Sequence, residues 1–123
     1  VDTKLPHTIK LAKIHAKCFP RGWEPHQFEG LDYIMEGEKG FVAYKTVIDE
    51  CEIKMICVAP EHRRQGVAEK LMSKVKAPKI FLEVEETNDA AHSLYKKLGY
   101  TEFGKRRDYY GNGRHAILMY LQS

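Results

Sequence analysis

The chain has 123 residues and a mass of 14.2 kDa, the size of one compact domain and too short for two well-packed ones. Hydrophobic residues make up 43%, charged residues 30% and aromatics 11%, enough apolar surface to offset chain entropy, which excludes wholesale disorder. The formal charge of +3 suits an anionic partner without requiring one, so DNA is not expected.

The longest uninterrupted apolar run, Ala116 to Leu121, falls far short of the roughly 20 residues of a membrane-spanning helix, so no membrane partner is expected. The first residues, Val1 to Pro6, carry an acid and a proline and lack the apolar stretch of a signal peptide, which points to a cytoplasmic protein; the missing initiator Met leaves processing or trimming open. Cys18, Cys51 and Cys57 form no CxxC pair and are odd in number, so neither a disulfide framework nor a zinc site is expected, and buried thiols are the simpler reading.

From Pro6 to Phe19 the positions Ile9, Ala12, Ile14, Ala16 and Phe19 approximate a helical stripe, which Pro20 ends. Pro20 to Pro25 reads as an aromatic-bearing loop around Trp23, with a short helix over His26 to Leu31. Three strands follow, Tyr33 to Met35, Phe41 to Ile48 and Glu52 to Val58, spaced as an antiparallel meander. After Pro60 a polar loop leads into Val67, Ala68, Leu71, Met72 and Val75, apolar at helical spacing, with the helix stopping near Lys76. Lys79 to Glu85 alternates as a strand, with Ile80, Leu82 and Val84 on one face and Phe81, Glu83 and Glu85 on the other. Asn88 and Asp89 start a helix whose stripe is Ala91, Leu94, Tyr95 and Leu98, and Gly99 closes it. His92 faces solvent by the same periodicity. Two strands, Thr101 to Arg107 and Ala116 to Leu121, flank a turn at Gly111-Asn112-Gly113. The order contains one βαβ unit. It predicts a single α/β (α+β) domain over residues 1–123, with a mixed, mostly antiparallel sheet, a parallel strand pair and flanking helices.

Arg63-Arg64-Gln65-Gly66-Val67-Ala68 lies where a strand ends and a helix begins. The first N–H groups of a helix lack intrahelical partners and carry the positive end of its dipole, so this turn suits a pyrophosphate. Gly66 lets backbone approach closely, and small Ala68 leaves the first turn uncrowded. No Gly-Lys-Ser/Thr and no GxGxxG is present, which excludes the Walker and dinucleotide cradles. The segment also reads as a solvated charged loop before an ordinary helix. Glu83, on the less apolar face of its strand, is a candidate base or a solvated carboxylate. Asn88 reads as an N-cap, and Tyr95 as a core residue with a bonded hydroxyl.

Arg63-x-x-Gly66-x-Ala68 resembles the Gln/Arg-x-x-Gly-x-Gly/Ala signature of the GNAT N-acetyltransferase superfamily. Leu82-Glu83-Val84 with Asn88 to Tyr100 is similar to that superfamily's downstream acetyl-CoA motif. Arg106-Arg107-Asp108-Tyr109-Tyr110, followed by Gly113-Arg114 and Ala116 to Met119, resembles the C-terminal strand-loop-strand of the bacterial ribosomal-protein alanine N-acetyltransferases, the RimI-like group. The likeness is good from Cys51 to Leu121 and weaker before it, where Cys18-Phe19-Pro20 and Trp23 are similar to the family's substrate-side loop.

The resemblance implies acetyl-CoA as cosubstrate, no metal, and direct acetyl transfer to a protein N-terminal amine, by likeness the alanine of a ribosomal protein. It implies that backbone of Ile56, Cys57 and Val58 pairs with pantetheine, that Arg63, Arg64, Gln65, Gly66, Val67, Ala68 and Glu69 hold the pyrophosphate, and that Asn88 contacts pantetheine. It implies Glu83 as general base and Tyr95 as the acid for the leaving thiolate, with Cys57 a wall residue. Trp23, Glu24, Tyr109 and Tyr110 are the substrate-side candidates, strand-pair packing being the other reading of the tyrosines. The family's first strand corresponds at best to Val1 to Lys4. Two other functions stay open: a GNAT enzyme for a small-molecule or lysine amine, and a catalytically silent acetyl-CoA- or RNA-binding module using its arginines on phosphate. Oligomeric state is not legible.

Overall fold

The alternation read over Lys79 to Glu85 is realised residue for residue: Ile80, Leu82 and Val84 are buried and the intervening positions are half-exposed. The computed structural model describes residues 7–19 and 24–122, so Trp23 and the strand expected at Val1 to Lys4 lie outside the described residues. Helix α1 is His7–Cys18, followed by strands β1 Asp32–Glu36, β2 Gly40–Val47 and β3 Glu50–Val58, helix α2 Val67–Lys74, strand β4 Lys79–Glu85, helix α3 Asp89–Lys97, and strands β5 Thr101–Arg106 and β6 Ala116–Gln122. The strands form one six-stranded sheet in the order β1-β2-β3-β4-β6-β5, parallel between β3 and β4 and antiparallel in the ladders β1–β2, β4–β6 and β5–β6. This is the mixed architecture that the sequence predicts. No helix of the described residues is long and apolar enough to cross a membrane.

By its contacts the chain divides into two compact units. One comprises the residues up to Lys45 together with Lys54–Val75; the other comprises Thr46–Ile53 and Lys76–Ser123.

In the first unit Leu11, Ile14, Phe28, Phe41, Ala43 and Cys57 form the core, with Ala12, Cys18, Leu31, Tyr33, Met35 and Met55 packed against it. Phe28 meets Phe41 edge-on at 5.7 Å, the favourable arrangement for two rings. The helix expected over His26 to Leu31 is only a 3-10 turn, Pro25–Phe28. Pro25 starts the turn without an N–H to give, and Gly30, at φ 81°, carries the chain out of helical geometry. Helix α2 buries Val67, Leu71 and Met72, and its exposed face sends Lys70 and Lys74 to the two oxygens of Glu36 at 2.9 and 3.1 Å. It stops at Lys74 rather than Lys76, because Val75 turns extended and buries its side chain.

In the second unit β4 runs parallel to β3 over Glu50↔Lys79, Cys51↔Ile80 and Glu52↔Phe81, and pairs with β6 along its whole length. β5 pairs with β6 through an irregularity between Glu102 and Gly104. Helix α3 is capped by Asn88, whose side-chain oxygen accepts the Ala91 N–H at 3.2 Å, and it ends at Gly99 in the left-handed region. Tyr95 and Tyr100 are the buried residues of this segment, their rings 5.8 Å apart, whereas Ala91, Leu94 and Leu98 are only half-buried. His92 does not face open solvent. Its ring is half-buried and hydrogen-bonded to Glu102 of β5, a cross-element contact that single-helix periodicity does not reveal.

Candidate active site

The first unit carries the turn singled out as a pyrophosphate cradle. β3 ends at Val58, the 3-10 turn Pro60–His62 reverses the chain, and the loop reaches α2 through Arg64 at φ 61° and Gly66 at φ 76°. Two left-handed residues so close together turn the backbone outward, and only glycine adopts that region without a Cβ penalty. The first bond of α2 runs from the Lys70 N–H to the Gly66 carbonyl at 3.0 Å, so the amides of Val67 and Ala68 lie ahead of it at the positive end of the dipole. A Cβ placed on Gly66 would meet nothing within 4 Å. Open space over an outward-turned backbone at a helix start fits an anion, and Arg63, Arg64, Gln65 and Gly66 are all exposed there.

Arg63 is already engaged. Its Nε donates to the Val58 carbonyl at 3.1 Å, and the Cys18 thiol donates to the same oxygen at 3.3 Å. The tip of β3 is thus held by two side chains from outside the strand. Cys57 is 3% exposed, and burial, with neighbouring Cys18, drives its thiol far above the ordinary range against the opposing charge of Arg63. That keeps the thiol protonated. Glu24, the fourth acceptor-side candidate, is exposed in this unit and gives its backbone N–H to Gln27 Oε1 at 2.7 Å.

The second unit gathers Glu83, Tyr95, Tyr109 and Tyr110. Glu83, its side chain 22% exposed on β4, faces Arg106 Nη1 at 3.4 Å and accepts the Tyr109 hydroxyl. That hydrogen bond is the main reason Tyr109 holds its own proton more tightly than a free phenol. The Arg106 guanidinium also lies 5.5 Å over the Tyr109 ring. Tyr110, edge-on to Tyr109 at 5.0 Å, is raised by burial and then by the charges of Glu83, Tyr109 and Glu85. Tyr95 is 5% exposed; burial first, and Tyr110 second, push its phenol up to about 12. Tyr110 therefore stands within electrostatic reach of both Glu83 and Tyr95.

Two residues of this network, Arg114 and Glu85, are given no role by the motifs. Arg114 makes a two-pronged contact with Glu85, at 2.7 Å from Nε and 3.0 Å from Nη2. The signal was available, since Glu85 shares the Glu83 face of β4 at i+2 and Arg114 stands just ahead of β6. Asn88 sits at the start of α3, where its side-chain oxygen is spent as a cap.

The family model described as Acetyltransferase (GNAT) domain matches residues 30–102. The chain belongs to the GNAT acetyltransferase family. Among its GNAT relatives, the ribosomal protein bS18-alanine N-acetyltransferase of Escherichia coli K12 is 36% identical over 91 residues, 66% of this chain and 62% of that protein. The N-alpha-acetyltransferase of Sulfurisphaera tokodaii is 36% identical over 103 residues, 74% of this chain and 62% of the relative. The chain spans 62% of the length of each of these two curated relatives. The crystal structure of the ribosomal-protein-S18-alanine N-acetyltransferase from Escherichia coli superposes with a TM-score of 0.82 at 26% identity, covering 99% of this chain and 90% of that one.

Proposed function

We propose that this GNAT chain is an acetyl-CoA-dependent N-acetyltransferase whose acceptor is a protein N-terminal α-amine, and that the acceptor is the N-terminal alanine of a ribosomal protein. The observation that carries the reading is Glu83, half-buried on β4 and bonded to Tyr109, with Tyr110 linking it electrostatically to buried Tyr95. The relatives named for alanine and N-alpha acetylation support the choice of acceptor. The family match, residues 30–102, includes residues of both units. An acceptor of this class and acetyl-CoA are both met in the cytoplasm.

An amine attacks a thioester only when neutral, and an α-amine, with a pKa of about 7.7 to 8.0, loses its proton far more readily than a lysine at about 10.4. Glu83 is the base that takes this proton, directly or through water. Bound acetyl-CoA supplies the acetyl group in activated form. The backbone of Ile56, Cys57 and Val58 holds its pantetheine and the outward-turned loop from Arg63 to Glu69 its pyrophosphate; Asn88, whose side-chain oxygen caps α3, is a pantetheine contact by resemblance alone. Tyr95 keeps its proton at neutral pH. A phenol pushed up to about 12 is a weaker acid than an ordinary thiol near 8.5, so Tyr95 assists the departing sulfur as a hydrogen-bond donor and remains protonated. Tyr109 and Tyr110 present aromatic faces to the peptide backbone, with no metal taking part; Trp23 and Glu24 are further acceptor candidates by resemblance alone. The test is acetyl-CoA turnover over peptides that differ in their first residue. Acetylation of Ala-initiated peptides ahead of free lysine is expected, and no acetylation of any N-terminus would overturn the assignment.

A further inference from the structure

The loop that carries Tyr109 and Tyr110 is exposed throughout, and short exposed loops are ordinarily the least ordered part of a fold. Here it is cross-braced. The Asp108 N–H donates to His115 Nδ1 at 2.9 Å, the Gly113 N–H to Asp108 Oδ1 at 2.8 Å, and the Tyr110 N–H to the Arg114 carbonyl at 3.1 Å. One residue ties this loop to the sheet at the site. Arg114 grips Glu85 with Nε and Nη2, gives Nη1 to the Tyr110 carbonyl at 3.3 Å, and lays its guanidinium 5.8 Å from the centre of the Tyr110 ring. A planar fork that meets a carboxylate through two bonds, a carbonyl through a third and an aromatic face at once fixes direction as well as distance. Glu85 sits two residues beyond Glu83 on the same face of β4, so whatever Glu85 anchors is anchored to the strand that bears the base.

We infer that Arg114 and Glu85 form a clip of two positioning residues that sets Tyr110, and through it Tyr109, over Glu83 in the geometry that receives the peptide. The inference rests on the reading of Tyr109 and Tyr110 as acceptor-side residues. Neither clip residue touches the reacting atoms. Their role is to remove loop motion before the peptide arrives, so that binding does not have to freeze it. Arg106 performs a parallel task one row away, contacting Glu83 and covering the Tyr109 ring, but it touches the base itself.

The test compares the intact chain with Arg114→Gln, Glu85→Gln, the double variant and Arg114→Lys. Each single Gln variant raises KM for an Ala-initiated peptide by about two- to five-fold, the size an exposed ion pair supports, and leaves KM for acetyl-CoA unchanged. The double variant is no worse than Arg114→Gln alone, because Glu85 acts on the loop only through Arg114. Arg114→Lys does not restore the peptide KM, since an ammonium cannot span carboxylate and carbonyl together. Amide hydrogen exchange at Tyr110, Gly111 and Gly113 accelerates in Arg114→Gln. Additive single effects, or an equal rise in both KM values, overturn the clip, as does exchange that stays at the wild-type rate. Wild-type protein that acetylates no peptide overturns the acceptor reading instead, and the exchange measurement still decides the clip.

Discussion

Gly40→Ala puts the tip of β3 to a direct test. Gly40 opens β2, is buried, and lies against the end of β3: a Cβ built on it would sit 2.4 Å from the Cys57 carbonyl oxygen and 3.2 Å from the Val58 Cα. Both neighbours are backbone, so no side chain can swing away. Ordinary van der Waals contact begins near 3.4 Å, so β2 and β3 have to part by about 1 Å at Cys57. Overpacking of this kind costs about 1–3 kcal/mol, offset by roughly 0.4–1 kcal/mol from the lower chain entropy of unfolded alanine. The net expectation is a loss of about 1–2 kcal/mol, read as a lower urea midpoint at unchanged slope. The same displacement falls on Ile56–Val58, the backbone proposed to pair with pantetheine, so acetyl-CoA affinity drops as well. Gly37→Ala is the control. At φ 53° with nothing within 4 Å, it carries conformational strain alone, lowering stability without touching acetyl-CoA affinity. A Gly40→Ala midpoint equal to or above wild type would refute the close-approach argument, and weakened stability with unchanged affinity would separate this strand end from the cosubstrate.

Glu83→Gln is expected to lower turnover by about 10²-fold or more, with the loss largest at low pH where few amines are neutral; a pH–rate profile parallel to wild type removes Glu83 from the base role. Because the Tyr95 phenol is held up to about 12 in the fold and near 10 when unfolded, the two states bind protons equally below pH 10 and its contribution is then intact. Above pH 10 the unfolded chain ionises first, so stability falls with rising pH, by about 2–3 kcal/mol by pH 12. Urea titrations across that range should show a slope that Tyr95→Phe reduces, and an unchanged slope refutes the burial argument. Gly66→Val forces a β-branched residue to φ 76° and fills the open space over the loop, so acetyl-CoA binding measured by titration should weaken by far more than the urea midpoint shifts; equal effects would make the turn merely structural.

Patterns confined to one element were legible in the sequence. The period of two over Lys79–Glu85, the cap at Asn88 and the glycine after α3 all depend on residues close in the chain, and each is found where the local pattern puts it. The turn before α2 is legible for the same reason, since a helix start is a local object. What escaped were contacts that need the register between elements. His92 finds Glu102 only because α3 lies beside β5, and Arg114 finds Glu85 only because the β4–β6 register sets Ala116 opposite Glu85. Nothing in a helical wheel or a strand alternation contains those facts. The stripe of α3 fails similarly: its apolar spacing is correct, yet Tyr95 alone of its members is buried, because depth is decided by what covers a face and not by its period.

Cys57 joins the physical chemistry of the strand tip to the reaction. A thiol at the end of β3 invites a two-step route in which the acetyl group rests on the enzyme. The nucleophile in such a route is the thiolate, and burial against Cys18 opposes that form strongly while Arg63 only partly compensates. Cys57 is also packed in the core with Leu11, Ile14 and Phe41, where an acetylated sulfur would need volume that a close-packed core does not hold. This favours the proposed direct transfer to the amine, in which Glu83 is the base. Intact-mass analysis of protein mixed with acetyl-CoA, without acceptor and quenched in acid, is therefore expected to show no acetylated enzyme. A stoichiometric adduct mapping to Cys57 would refute the argument and make the buried thiol, rather than the carboxylate on β4, the centre of the chemistry.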